Sequence, residues 1–170
     1  MSDFLTGVRA RAAALARRVV LPEGTEERTQ AAAARLQREG LVEPILLGAE
    51  AEVRRGVTRA EGDGDAVLVL DPARDPRGEA FAAELHALRR HKGLSEAEAA
   101  ACVVEPLFFG ALLVRAGEAH GSVAGAVNPT GDVIRAALQC VGTAPGIRTI
   151  SSSFYMVVPP FRGEGEEVLT

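Results

Sequence analysis

The sequence predicts an α/β domain in which a mostly parallel sheet carries helices on both faces. Short apolar runs rich in β-branched residues alternate with segments of helical periodicity along the 170 residues. Several of these runs are apolar at nearly every position, as expected of strands that are buried on both faces. No internal repeat, low-complexity tract or interdomain linker interrupts residues 1–141.

The first part of the chain is predicted to contain a helix, a strand and a second helix. Residues 1–18 are amphipathic and indicate a docked helix; an arginine-rich import presequence would look similar, but Asp3 is out of place in one. Arg18–Leu21 is a compact strand that ends at a proline. Residues 25–39 are typical of a helix, with Thr25 as the N-cap and two glutamates in the first turn.

The middle of the chain is predicted to alternate strands with one helix. Glu43–Leu47 is a second strand, closed by a glycine, and residues 66–70 are a third, followed by a turn-rich segment. Residues 78–91 indicate a helix, because their apolar side chains recur at spacings of four and three.

The last part of the chain is predicted to contain three helices and one further strand. Residues 95–103 begin with a serine cap and carry a glutamate three positions later, and residues 106–116 follow as another helix. Residues 123–127 are a fourth strand and residues 129–141 a helix, after which residues 147–158 form a long extended run. The final ten residues are expected to turn back and begin a returning strand.

Composition and charge exclude several classes of protein. The residues are 47% hydrophobic and 25% charged, which is typical of a globular protein, and the formal net charge of −4 gives no support to binding of nucleic acid or a membrane surface. No apolar run reaches the ~18 residues that cross a bilayer. Two cysteines without CxxC spacing favour a reducing, cytoplasmic location. The three histidines lack metal-ligand spacing, so no metal is expected.

Two strand-to-helix loops carry an arginine that core packing does not explain. Ligands bind beyond the carboxyl ends of parallel strands, where Arg28 and Arg135 fall within the first turns of their helices. Cations are disfavoured there unless they bind an anion, so both are candidates for a phosphate site, with a solvated surface arginine as the alternative. Lys92, the only lysine, gives a weaker hint at the end of another helix. Arg135 lies off the predicted apolar stripe of its helix, which consists of Val133, Ile134, Ala137, Leu138 and Val141.

Three segments in fixed order carry a resemblance to a known family. The chain reads VVLPEGTEERTQAAAARL near its start, LRRHKG in the middle and GAVNPTGDVIRAALQ later. It resembles the amino-terminal part of the phosphate acetyltransferase and butyryltransferase family over nearly its whole length, and the acetyl branch is the better match. Where the family often reads SGAVNSTADVLRPALQ, Ala124 and Pro129 stand in place of serines.

The resemblance implies a fold, a reaction and a division into lobes. The family is similar in fold to the isocitrate and isopropylmalate dehydrogenases, which have two α/β lobes and an active site in the cleft. It moves an acetyl group between acetyl phosphate and coenzyme A, after an aspartate of the second lobe has deprotonated the thiol. Residues 1–146 would then form the amino-terminal lobe. Residues 147–170 would begin a second, incomplete lobe, so that the chain represents a truncated enzyme without the catalytic base.

The resemblance also assigns roles to individual residues. Arg28 would contact the phosphates of coenzyme A, while Arg89 and Arg135 would be catalytic by binding acetyl phosphate and stabilising charge on the departing phosphate. The residues expected to line the pocket are Asn128, Thr130 and Ser152. Coenzyme A is thus a substrate, and no bound cofactor is implied.

Alternatives to a truncated phosphate acetyltransferase remain open. The chain could be a non-catalytic module that binds acyl phosphate or coenzyme A, or a half-enzyme that needs a carboxy-terminal partner. A phosphate butyryltransferase is a third interpretation. A homo-oligomer is compatible with each of them.

Overall fold

The computed structural model describes residues 3–158 and 167–169. Within these residues the chain forms seven α-helices and six strands. They follow in the order α1 Asp3–Leu15, β1 Arg18–Leu21, α2 Glu27–Arg38, β2 Glu43–Leu47, α3 Glu50–Arg59, β3 Leu68–Leu70, α4 Gly78–Arg89, α5 Glu96–Val103, α6 Pro106–Arg115, β4 Gly121–Ser122, α7 Thr130–Cys140, β5 Met156–Val158 and β6 Glu167–Leu169.

The main sheet confirms the predicted α/β class. Its four strands are all parallel and lie in the order β3-β2-β1-β4. β1 pairs over its whole length with β2, from Arg18 opposite Glu43 to Leu21 opposite Leu46, but only two of its residues pair with β4. β5 and β6 form a separate antiparallel pair, so the returning strand predicted near the carboxyl end is present.

Helices cover both faces of the main sheet, because successive strand residues point to opposite sides. On one face Val20, Ile45 and Leu47 pack against side chains of α4, α5 and α6. On the other face Leu21, Leu46 and Val69 pack against α2 and α3. The two resulting clusters are the core of the domain, and they leave the carboxyl ends of the strands accessible to the loops that follow them.

Two predicted elements differ from the observed ones. The strand predicted at residues 123–127 is wrong, since β4 ends at Ser122 and the chain leaves the sheet after a last hydrogen bond from the Val123 amide. α3 was not predicted, because Gly56 and several charged residues obscure its pattern. Val53, Gly56 and Val57 form its buried face. A Cβ on Gly56 would lie 1.9 Å from Oε1 of Gln30, so a larger residue there would displace the buried Gln30 amide from its hydrogen bond with the Gly24 carbonyl.

Two helix details also correct the predictions. α2 is capped by Glu26, whose carboxylate accepts from the Thr29 amide at 3.0 Å, and not by Thr25. α7 buries Ala136 and Cys140, which are small enough for close packing on α6, while three members of the predicted apolar stripe are 39–43% exposed. Those three are Ile134, Leu138 and Val141.

The two ends of the described chain contact each other. α1 has no buried residue, and its Phe4 ring stacks on the Tyr155 ring with centroids 6.0 Å apart. Of the extended run predicted at 147–158, only Met156–Val158 is a strand. The turn predicted between β5 and β6 lies at 159–166, outside the described residues.

No single helix within residues 3–158 and 167–169 is long and apolar enough to cross a membrane. α5 and α6 reach that length and composition only as a pair, which is bent by 95°.

Candidate functional site

The order of the strands places a crevice between β1 and β4. The chain leaves β1 to build β2 and β3 on one side, then returns to add β4 on the other. In parallel sheets the loops on either side of such a reversal diverge, and ligands bind in the space between their carboxyl ends. Here that space lies between the turn that follows β1 and the loop at residues 125–128, hereafter the 125–128 loop.

Glu23 joins these two segments. Its Oε2 accepts from the backbone amides of Gly125 at 2.9 Å and Ala126 at 2.7 Å. Its Oε1 accepts from the amides of Val127 at 2.9 Å and Asn128 at 2.8 Å, and from the Asn128 side-chain Nδ2 at 2.9 Å. The residue is only 7% exposed, so one buried carboxylate organises the whole loop.

The Glu23 carboxylate is held in its charged form. Burial alone would raise its pKa, but the hydrogen bonds from the backbone of Val127, Asn128 and Ala126 and from the Asn128 side chain outweigh that effect. Together they lower the pKa of Glu23 from 4.5 to about 2.

A cavity of about 610 Å³ opens beside this loop. It is bounded by the turn after β1, the end of β2, the start of α6, the 125–128 loop and the first turns of α7. Its lining residues are Pro22, Glu23, Thr25, Glu26, Leu47, Gly48, Glu105, Pro106, Leu107, Phe108, Val127, Asn128, Asp132 and Arg135. The apolar lining residues come from the turn after β1, β2, α6 and the loop, and the charged ones are four carboxylates and the Arg135 guanidinium.

Arg135 is the cation that lines the cavity, and its side chain is 62% exposed. Its Nη1 lies 3.0 Å from Oδ1 of Asp132, one helical turn earlier. The N-cap of α7 is Pro129, which provides no side-chain hydrogen bond to the first turn. Of the first two turns of α7, Asp132 and Arg135 line the cavity, whereas Pro129 and Thr130 do not.

Arg28 contacts the same loop from outside the cavity. Its Nη2 donates to the Ala126 carbonyl at 2.6 Å, and its Nε donates to Oε1 of Glu26, also at 2.6 Å. The hydrogen bond with Arg28 lowers the pKa of Glu26, and the same contact raises the pKa of Arg28. Glu23 thus holds the amides of the loop while Arg28 holds one of its carbonyls.

The other predicted site residues do not line this cavity. Arg89 is the last residue of α4 and is half-buried, and Thr130 begins α7 with an exposed side chain. Ser152 is exposed in the segment before β5. The structure therefore brings Asn128 and Arg135 together and places Arg28 behind their loop, while the roles predicted for Arg89, Thr130 and Ser152 stay predictions.

Two alternatives to an anion site find little support among the described residues. In residues 3–158 and 167–169 no cluster of three or more histidine, cysteine or acidic side chains could hold a metal ion. Cys140 and Cys102 are both unpaired, and burial raises the pKa of each thiol, that of Cys140 to about 12. Neither thiol therefore has the thiolate character of a nucleophile.

Glu23 was missed as a site residue in the sequence. The signal was available, because it is an acidic residue directly beyond an apolar parallel strand, followed by glycine. Its partners lie more than a hundred residues further along the chain and could not be read from local sequence.

Comparison with known proteins gives consistent matches. The family model described as "Phosphate acetyl/butaryl transferase" matches residues 3–170. A phosphate acetyltransferase of Acetivibrio thermocellus is 37% identical over 92% of this chain and 47% of its own length. One from Thermoanaerobacterium thermosaccharolyticum is 38% identical over 84% of this chain and 43% of its own.

Solved structures agree with these relatives. A phosphotransacetylase from Streptococcus pyogenes superposes with a TM-score of 0.81 at 34% identity, covering 88% of this chain and 46% of that one. A phosphotransacetylase from Staphylococcus aureus gives 0.81 at 30% identity, covering 98% and 49%. The chain therefore spans just under half the length of these relatives.

Proposed function

Because the chain belongs to the phosphate acetyl/butyryl transferase family, we propose that it provides the phosphate-binding half of a site that transfers an acetyl group between acetyl phosphate and coenzyme A. The observation that carries this proposal is the position of Arg135. Its exposed guanidinium lines the cavity at the reversal of strand order. A guanidinium binds a phosphate through paired, charge-assisted hydrogen bonds.

In the proposed reaction the coenzyme A thiolate attacks the acetyl carbonyl carbon, and the bond between that carbon and the phosphate oxygen breaks. Negative charge moves from sulfur to the departing phosphate. Arg135 would neutralise that charge, with Arg89 as a second cation, and Arg28 would meet the phosphates of the coenzyme. Coenzyme A is a substrate here, so the protein needs no bound cofactor, and the unpaired cysteines fit a reducing cytoplasm.

Asp132 lowers the expected affinity of this site for phosphate. The cavity lining contains four carboxylates, of which Glu23 binds amides and Glu26 binds Arg28. Asp132 lies against one nitrogen of Arg135, so an incoming phosphate meets a guanidinium whose charge is partly compensated. The compensation is moderate because both side chains are partly exposed, at 62% and 42%.

The test is phosphate binding by calorimetry, with Arg135→Ala as the variant and Arg59→Ala, on the distant helix α3, as the matched control. We expect Arg135→Ala to weaken binding at least about tenfold, since charged hydrogen bonds contribute about 1.5–3 kcal/mol. Arg59→Ala should leave binding unchanged. Equal affinity in the two variants would mean that Arg135 is a solvated surface residue.

Turnover is tested separately, by phosphate-dependent breakdown of acetyl-CoA and of butyryl-CoA. The resemblance assigns the catalytic aspartate to a segment beyond the first half of the relatives, and loss of a positioned base costs roughly 10²–10⁴ in rate. We therefore expect the 170-residue chain to bind phosphate and turn over slowly. Fast turnover would place a base within this chain, and the preferred thioester would decide between the acetyl and butyryl interpretations.

The segment before β5 supports a second candidate function. The chain would then be a half-enzyme that acts with a separate carboxy-terminal polypeptide. We propose that residues 1–146 form the first lobe and that 147–170 begin the second. Five large apolar side chains in this segment and at the first residue of β5 are 50–81% exposed: Ile147, Ile150, Phe154, Tyr155 and Met156. A two-stranded pair is marginal by itself and such a surface favours a partner.

The partner proposal is tested by mixing. A polypeptide that corresponds to the second half of a family member should bind the chain and raise turnover above that of either alone. Self-association without an increase in turnover would indicate a homo-oligomer. A monomer that does not bind the second polypeptide would contradict the proposal.

A further inference from the structure

We propose that Glu23 is a positioning residue of the cavity, which fixes the 125–128 loop and orients the Asn128 amide toward the ligand. What the ligand is rests on the proposed function; how the loop is held does not. Glu23 itself reaches the ligand only through the groups that it holds.

The first step of the argument is the number of donors. Five N–H groups converge on the two carboxylate oxygens at 2.7–2.9 Å, four of them from consecutive backbone amides. An ionised carboxylate has two acceptor oxygens and no donor, so among side chains of this length it alone can meet N–H groups with both terminal atoms. A glutamine at position 23 would point an NH₂ group at two of the amides.

The second step is the lack of another anchor for the loop amides. The last sheet-like contact is the Val123 amide, which donates to the Val20 carbonyl at 2.9 Å. The chain then departs from the sheet through Gly125, whose φ of +110° is strained for residues with a side chain. Among the described residues, the amides of residues 125–128 have Glu23 as their acceptor, so without it four amides would lose a partly buried hydrogen bond.

The third step concerns Asn128. Because Glu23 can only accept, the group facing it must be the Nδ2 donor, which settles the orientation of the side-chain amide. The remaining polar atom is Oδ1, an acceptor, on a residue that lines the cavity. Asn128 therefore selects a donor on the ligand, such as a protonated phosphate oxygen or an amide N–H of a coenzyme arm.

The experiment measures two quantities on each variant, amide hydrogen exchange within residues 125–128 and phosphate affinity. In Glu23→Ala we expect the loop amides to exchange at least roughly tenfold faster while strands β1 to β3 stay protected, together with at least tenfold weaker phosphate binding. Added formate, a free carboxylate small enough for the vacated space, should restore both quantities in this variant and change neither in the wild type.

Two further variants keep the proposal falsifiable if Glu23→Ala folds poorly. Asn128→Ala removes one donor and keeps the backbone clamp, so it should weaken phosphate binding and leave loop exchange unchanged. Val53→Ala, in the opposite core cluster, should lower stability and leave loop exchange and phosphate affinity unchanged.

Four outcomes decide the matter. Selective loop opening in Glu23→Ala with formate rescue supports the proposal. Unchanged loop exchange, or acceleration spread evenly over the sheet, overturns it. If the wild type binds no phosphate while the loop still opens selectively, the proposed function fails and the loop clamp stands. If phosphate binds and Asn128→Ala has no effect on it, the role of Asn128 is wrong.

Discussion

Acid should selectively remove the contribution of Glu23 to stability. Its pKa in the folded protein, about 2, lies below the ordinary value of 4.5. A lowered pKa in the folded protein stabilises the folded state at pH values above the ordinary pKa. This stabilisation is lost as the pH falls through 4.5 toward 2. At neutral pH the difference corresponds to about 3 kcal/mol, at about 1.4 kcal/mol per pH unit, and about 2 kcal/mol of it should be lost by pH 3.

Glu23→Gln isolates this effect from the other carboxylates of the protein. The variant cannot ionise at position 23, and it leaves two amides facing an NH₂ group at every pH. The difference in free energy of unfolding between wild type and variant should therefore be largest at pH 7 and should shrink by about 2 kcal/mol by pH 3. Urea denaturation across this range measures it.

The control is Val53→Ala, in the core cluster on the α2 and α3 face, which changes no ionisable group. The difference in free energy of unfolding between wild type and this control should not decrease comparably over the same pH range. A Glu23→Gln difference that stays constant between pH 7 and pH 3 would refute the reasoning, because it would mean that the Glu23 carboxylate has the same pKa folded and unfolded.

Three other substitutions test the site and its framework. Asp132→Asn should strengthen phosphate binding severalfold in calorimetry, because Arg135 would no longer face a competing carboxylate at 3.0 Å; weaker binding would show that Asp132 helps to form the site. Gly24→Ala should lower the free energy of unfolding by about 1–3 kcal/mol, since a Cβ there would lie 2.5 Å from the Leu47 carbonyl oxygen; an unchanged melting temperature would contradict this close approach. Ser95→Ala should cost about 1 kcal/mol through loss of the α5 capping box, without affecting phosphate affinity; a neutral effect would mean that the cap is replaced by solvent.

Much of the fold was readable because its determinants are local. β1 and β2 have the predicted bounds, and α5 has the predicted serine cap, since strand patterning and capping depend on residues a few positions apart. α3 could not be predicted for the opposite reason. The space around its Gly56 is filled by the side chain of Gln30, which belongs to another helix.

The candidate site was only partly readable. Arg135 and Asn128 line the cavity, and the roles predicted for them toward a ligand stay predictions. The resemblance also named Arg28, yet its contacts here are with Glu26 and the Ala126 carbonyl, so its charge is partly compensated in this structure. Whether it reaches a ligand depends on the exchange of these contacts.

By itself the sequence determined the alternation of strands and helices, the family and the loops in which to seek an anion site. Only the tertiary structure decided where β4 ends, which face of α7 is buried and what the Glu23 carboxylate binds. The physical reason is range. Backbone propensity and hydrophobic periodicity act over a few residues, whereas Glu23 meets amides 102 to 105 positions away, which become its partners only when β1 and β4 lie side by side.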